Sequence, residues 1–427
     1  MKMGAAFAQQ MDRDDPLAGY RARFHMPQKN GRDCIYMCGN SLGLQPKTVR
    51  DAVMQELEDW KNLGVEGHFS GQNPWLPYHE FLTENMAAIV GAKPLEVVMS
   101  NSLTVNLHLM MVSFYRPVKE RFKIVIEKDA FPSDRYASAS QIAFHGFDPA
   151  EGLIELAPRK GEKLLRTEDI LRVIEEQGES IALIMLGGVN YYTGQLFDLA
   201  AITKAGQAKG CTVGFDLAHA AGNVPLSLHE WGVDFACWCS YKYLNGGPGA
   251  IAGFFVHERY ADRTDLPRFC GWWGNDKKVR FKMGPEFRAI PGAEGWQLSN
   301  PPILSLAAVK ASLEIFSEAG MEALREKSLK LTGYLEFLLG SLKSDAFSVM
   351  TPRDPAQRGC QLSIVVHESG KKVYEALEKA GVICDWREPD CIRVAPVPLY
   401  SSFMDVHDFA RIFAEQIGAE NRLKEAV

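Results

Sequence analysis

Three places in the chain put reactive or charged side chains directly after apolar runs, where an α/β sheet collects its ligands. The first is Cys211-Thr-Val-Gly-Phe-Asp216-Leu-Ala-His219-Ala, an acid at the end of a strand-like run with a histidine three residues on. The second is Cys239-Ser240-Tyr241-Lys242-Tyr243-Leu244-Asn245-Gly246-Gly247-Pro248-Gly249, a lysine between an apolar run and a glycine-rich turn. Flanking aromatics and small residues would hold that amine out of water, where a lysine serves as nucleophile. The third is Ser100-Asn101-Ser102-Leu103-Thr104, which opens a helical pattern whose first N–H groups suit a phosphate. Each has a plainer reading taken alone: a helix-capping Asp, a hairpin lysine, a simple cap. Together they meet the needs of pyridoxal phosphate, which requires a lysine to attach it, an acid to keep its ring nitrogen protonated and a helix start for its phosphate.

The elements that must position these groups read as an α/β fold. β-branched runs predict strands at 96–100, 123–127, 152–156, 181–186, 211–215, 235–239 and 251–256. Between them lie predicted helices at 103–114, at 168–177 opened by Thr167, and at 199–209 opened by Asp198 and closed by Gly210. This alternation argues for a mostly parallel seven-stranded sheet covered by helices on both faces. After Pro301-Pro302 come two long helical stretches around Gly320, then strand, helix, strand and helix, which reads as a smaller α+β unit. The expected organisation is an N-terminal arm over 1–45, a large cofactor-binding domain over 46–300 and a small C-terminal domain over 301–427.

Composition narrows the function classes. The chain has 427 residues, 46% of them hydrophobic and 23% charged, with a formal charge of −6 that lacks the basic footprint of a nucleic-acid binder. The longest uncharged stretches, 97–115 and 180–197, carry polar residues throughout and do not read as membrane spans, and residues 1–10 lack a secretory pattern. A cytoplasmic protein is expected. Its nine cysteines are odd in number and mostly embedded in apolar runs, as buried reduced thiols are. With no C-x-x-C and no second His after any His-Glu pair, no metal site is expected.

The run from Ser240 to Gly249 resembles the lysine motif of fold-type-I enzymes in the aminotransferase class V group, with Tyr241 where many members carry His. Together with Cys38-Gly-Asn-Ser-Leu-Gly43, Phe131-Pro-Ser-Asp134, Gly194-Gln195, Gly214-Phe-Asp216-Leu-Ala-His219-Ala220 and Trp231-Gly-Val-Asp-Phe-Ala-Cys-Trp-Cys239, it resembles the kynureninase family from Met37 through Val397. The resemblance implies hydrolysis of the Cβ–Cγ bond of kynurenine or 3-hydroxykynurenine, in tryptophan catabolism and toward NAD biosynthesis. It implies that Lys242 attaches the cofactor, Asp216 meets its ring nitrogen, and His219 lies beside the ring. Phe131 would stack on the ring, flanked by Ser133 and Asp134. Leu103, Thr104, Tyr241, Trp272 and Asn300 would meet the phosphate, the last two from the second subunit of a homodimer. Tyr241 is also a candidate acid/base. Arg393 in Cys391-Ile-Arg-Val-Ala-Pro would clamp the substrate α-carboxylate, with an ion pair to Asp385 or Asp390 as the plainer reading. His68 and Asn300 resemble positions that meet the aromatic end of the substrate. Gly187 departs from the family, which places a Ser there.

Rival readings are specific. Within the same fold, an aminotransferase or a cysteine desulfurase is the alternative, the latter with Cys360, between Gly359 and Gln361, as the cysteine in a polar loop. Gly39-Asn40-Ser41-Leu42-Gly43 fits the G-x-S-x-G of a serine hydrolase, although too few strands precede Ser41 for a nucleophile elbow. A non-enzymatic interaction protein would purify colourless.

Overall fold

Seven of the β-branched runs assemble into one sheet. Its order is Val97–Met99, Gly253–Val256, Phe235–Trp238, Thr212–Asp216, Ile181–Gly187, Lys123–Glu127 and Leu153–Leu156. Gly253–Val256 runs antiparallel to both its neighbours, and the remaining pairs are parallel. The central strands are buried along nearly their whole length, as expected where helices cover both faces. All seven predicted strands are present, each within two residues of its expected bounds.

The computed structural model describes residues 1–419, so the last eight residues of the expected small domain lie outside the described residues. The chain divides into two compact units. The larger comprises Val49–Gly188 and Phe197–Ser317, and the second comprises Met1–Thr48, Val189–Leu196 and Glu318–Val427. These bounds differ from the expected ones in three ways. The N-terminal arm and residues Val189–Leu196 belong to the second unit, and the 303–319 helix stays largely with the sheet.

In the larger unit, the Leu103–Phe114 helix buries Leu107, Met110, Met111 and Phe114 against Ile124, Ile126, Phe235 and Phe254 of the sheet. That apolar contact fixes where the helix begins. The Leu199–Ala208 helix opens as expected, with the Asp198 carboxylate accepting from Ala201 N at 2.9 Å. Thr167 is the first residue of its helix rather than the cap, which falls on Arg166 and makes no side-chain bond.

The second unit packs Met321–Ser341, Gly370–Lys379 and Phe403–Gln416 around a sheet of Phe347–Val349, Leu362–Val366, Cys391–Val394 and Asp385–Arg387. Its N-terminal segment is tied in by specific bonds. Ile35–Tyr36 pairs in parallel with Val382–Ile383. Asp12 accepts from the free N–H groups of Phe403 and Met404 at 2.6 and 3.1 Å, capping the last helix from a distance. Asp15 makes a buried ion pair with Lys327 at 2.7 Å. Among the described residues, no helix is long and apolar enough to cross a membrane.

Candidate active site

The carboxyl ends of four adjacent parallel strands, at Trp238, Asp216, Gly187 and Glu127, converge on one edge of the sheet in the larger unit. Lys242 follows the first of these ends, and its Nζ lies 3.0 Å from His219 Nε2. The ammonium also stands 5.8 Å from the centroid of Phe131 and 5.7 Å from that of Tyr241. Lys242, Tyr241, His219 and Phe131 are thus brought together as expected. Burial, then the neighbouring Cys239 and Asp216, pushes the Tyr241 phenol well above its usual range, so it stays protonated.

Two carboxyls, Asp216 and Asp134, feel the charge of this lysine, and a third lies beside Asp216. Asp216 accepts from Ala218 N at 2.7 Å and shares a hydrogen bond with Asp134, which sits in the first turn of the Pro132–Phe144 helix. Loss of water raises the Asp134 carboxyl far above its ordinary range, and the charge of Asp216 raises it further. Asp134 therefore holds the shared proton and donates it, leaving Asp216 the acceptor. Burial also raises Asp216, while Lys242 acts to lower it. The third acid, Glu127, was not anticipated. It ends the apolar run Lys123-Ile-Val-Ile-Glu127, accepts from Gly187 N at 2.9 Å, and is pushed up to about 7 by burial. Its signal in the sequence was a charge at the end of an otherwise apolar strand. Gly187, with no side chain to bond, contributes its backbone N–H to this carboxyl.

The start of the Leu103–Phe114 helix carries no side-chain cap from Ser102, so the first-turn N–H groups around Leu103 and Thr104 keep their capacity for an anion. Ser133 lies beside Asp134 in the next helix's first turn. Trp272 and Asn300 are exposed on segments that run side by side, with Trp273 N donating to Leu298 O at 3.1 Å. Trp272 Nε1 donates to Arg280 O at 3.1 Å. His68 ends the Gly64–His68 turn. Pyridoxal phosphate fits this edge on chemical grounds: the carboxyls outnumber Lys242, and the buried Asp134 Oδ1 and Ser240 Oγ have no hydrogen-bond partner. A protonated ring nitrogen and a hydroxylated ring answer those demands.

Arg393 belongs to the second unit. It is 1% exposed, pairs with Asp385, and donates from Nη1 to Tyr191 O at 2.6 Å. Asp385 is thus the acid of the two weighed. It also accepts from Ser41 Oγ at 2.9 Å and from Arg387 at 3.1 Å. That bond corrects the serine-hydrolase reading, because Ser41 Oγ is spent on a carboxylate with no histidine to activate it. Gly39 lies against Tyr400 and Val397, where a Cβ would overlap both side chains, so this glycine serves packing. Cys360 is also corrected: it is 1% exposed, not a loop thiol open to solvent.

Two other groups in the larger unit bring metal-ligand side chains within 4.8 Å. In Glu96, His229 and His257, the His257 Nδ1 lone pair already accepts from Arg259 N at 3.1 Å. In His79, Glu80 and Glu294, the Lys277 ammonium stands 2.8 Å from both carboxylates. Protein donors fill each.

A family model described as the kynureninase C-terminal domain matches residues 324–413. A kynureninase of Koribacter versatilis is 62% identical over 412 residues, covering 96% of this chain and 97% of its own. One of Myxococcus xanthus is 62% identical, covering 95% and 96%, and one of Nematostella vectensis is 52% identical, covering 94% and 92%. Among solved structures, a cysteine desulfurase of Thermococcus onnurineus superposes with a TM-score of 0.76 at 17% identity, covering 96% of this chain and 98% of its own. That likeness concerns the fold. With relatives this similar over nearly its full length, the chain belongs to the kynureninase family.

Proposed function

We propose that the sheet edge around Lys242 is the place where this enzyme performs its family's reaction, the hydrolysis of kynurenine with pyridoxal phosphate. The observation that carries the assignment is Lys242 Nζ at 3.0 Å from His219 Nε2, beside the Asp134–Asp216 pair.

In this reading Lys242 attaches the cofactor, Asp216 receives its ring nitrogen, and Phe131 covers its face, with Ser133 and His219 alongside. Leu103 and Thr104 at the helix start take the phosphate, joined by Tyr241. When bound, the cofactor supplies an electron sink for the bond cleavage next to the substrate's ketone. The chain's own residues manage the protons. Lys242 Nζ would accept the α-proton, with His219 Nε2 at 3.0 Å to hold that nitrogen in place. Asp134 keeps the proton of the carboxyl pair, so that Asp216 remains the anion that would meet the ring nitrogen. The Tyr241 phenol, kept protonated by burial, serves as a donor through its Oη.

Arg393 is the substrate-carboxylate clamp in this account, since its fork suits a planar anion. His68 and Asn300 would meet the aromatic end. The larger unit is then the cofactor domain and the second unit the substrate-clamping one. We infer a homodimer from the exposed apolar surface beside Asn300, where Phe269, Trp272, Phe281 and Met283 are 59%, 41%, 56% and 76% exposed. A reducing, cytoplasmic setting agrees with nine free cysteines.

The deciding experiment incubates the purified, cofactor-loaded protein with kynurenine and with 3-hydroxykynurenine and measures kcat/KM for each. Alanine and the matching anthranilate should appear in equal amounts. Transfer of the amino group to a keto acid instead of release of alanine would favour the aminotransferase alternative.

A further inference from the structure

We propose that Glu56 is a positioning residue for ring-end recognition, acting through Trp75 to fix His68. The inference rests on the reading of His68 as a contact for the aromatic end of the substrate.

Glu56 is the buried residue of the Val49–Leu63 helix, only 1% exposed. A carboxylate removed from water is strongly disfavoured unless a cation or several donors satisfy it. Among the described residues no ion pair does so. Three neutral donors converge on it instead: Asn73 Nδ2 at 3.0 Å, Trp75 Nε1 at 2.9 Å and Tyr78 Oη at 2.9 Å. All three come from the chain that returns after the Gly64–His68 turn, so one buried carboxylate gathers the whole loop.

Trp75 transmits that anchoring to His68. Its N donates to Gly67 O at 3.1 Å, and Leu76 N donates to His68 O at 3.2 Å. The indole lies so close beneath Gly67 that a Cβ there would come within 2.6 Å of the ring. The His68 ring meets the indole edge-on, with centroids 5.2 Å apart. His68 Nδ1 lies 3.0 Å from Val65 O, and a carbonyl only accepts, so Nδ1 carries the proton. In the neutral imidazole Nε2 is then an acceptor, the partner a ring hydroxyl needs and an unsubstituted ring does not use. Trp75 also lines a crevice of about 200 Å³ with Glu56, Trp60, Ile303 and Leu304, the last two just beyond Asn300 in the chain. Glu56 thereby holds, through Trp75, both the His68 ring and one wall of this crevice.

Glu56→Gln keeps the shape but turns an amide N–H toward at least one of the three donors. Trp75→Phe keeps an aromatic wall and removes the N–H. In the cofactor-loaded enzyme, each should lower kcat/KM for 3-hydroxykynurenine relative to kynurenine by about fivefold or more, through KM rather than kcat. Bound-cofactor absorbance should persist. His68→Ala is measured beside them. If it shifts the ratio while Glu56→Gln and Trp75→Phe do not, Glu56 is structural only and the proposal falls. If His68→Ala leaves the ratio unchanged, the reading of His68 fails and takes the proposal with it. Should Glu56→Gln not fold, Trp75→Phe carries the test alone.

Discussion

The two units gather ionisable groups of opposite kind. At the sheet edge of the larger unit, Asp134 and Asp216 interact with a single lysine, and Glu127 adds a third carboxyl beside Asp216. In the second unit, Arg393 and Arg387 share a single carboxylate, Asp385. The Arg393–Asp385 pair is buried, unlike exposed pairs such as Arg159 with Asp169, which add little to stability, whereas Arg387 keeps 37% of its side chain exposed. At the sheet edge the surplus is held by burial in or toward the protonated form, Asp134 keeping its proton and Glu127 pushed up to about 7, so these acids are poised to ionise when a cation arrives. A surplus of carboxyls suits a protonated pyridine ring, and a surplus of guanidinium suits a substrate carboxylate. In the proposed reading, this difference would divide the chemistry, with proton transfer at the sheet edge and substrate holding at the arginine.

The largest effect that could break this division is loss of the lysine. Lys242→Ala should lower turnover by about three orders of magnitude or more and abolish the visible absorbance of the covalently held cofactor. An active, coloured Lys242→Ala protein would remove the sheet edge from the chemistry. Arg393→Lys tests the other half. The charge stays, but the two-pronged geometry goes, so KM should rise about tenfold or more while kcat changes little. A loss confined to kcat would mean that Arg393 acts on the reacting atoms, and the two surpluses would no longer separate by role.

How far the sequence carries this division differs between the units. Lys242, Asp216 and His219 were legible because each directly follows an apolar strand, and strands of a parallel sheet end on one edge. The seven strands were legible for the same reason, their β-branched runs being long enough to show. The assembly of the second unit was not. Ile35–Tyr36 and Val382–Ile383 are two residues each, too short for periodicity, and their pairing spans most of the chain. The detour of Val189–Leu196 into that unit is likewise set by distant partners, among them Gln357, whose O accepts from Leu196 N. The Pro132–Phe144 helix was hidden by its small and polar residues. Glu127 and Glu56 were visible as charges, but the donors that make sense of Glu56 arrive about twenty residues later and meet it only in the folded chain.

Glu127 offers the finest test of the carboxyl surplus, because its burden is visible without substrate. Its folded value of about 7 lies above the ordinary 4.5, so the native protein binds a proton that the unfolded chain has already lost. Stability therefore falls as pH rises through that interval, by up to about 3 kcal/mol once both states are ionised. Below pH 4.5 the carboxyl is protonated in both states and the penalty vanishes. Glu127→Gln keeps an oxygen for Gly187 N and removes the charge, so cofactor-free Glu127→Gln should be more stable than the parent at pH 8 and nearly equal at pH 4.5. Thermal unfolding across that range reads the difference. Pyridoxal phosphate should narrow it, since a cationic ring nitrogen beside Asp216 relieves the repulsion that helps raise Glu127. A gap between variant and parent that stays constant with pH would mean that Glu127 is already ionised, and that the sheet edge tolerates its surplus without a cation.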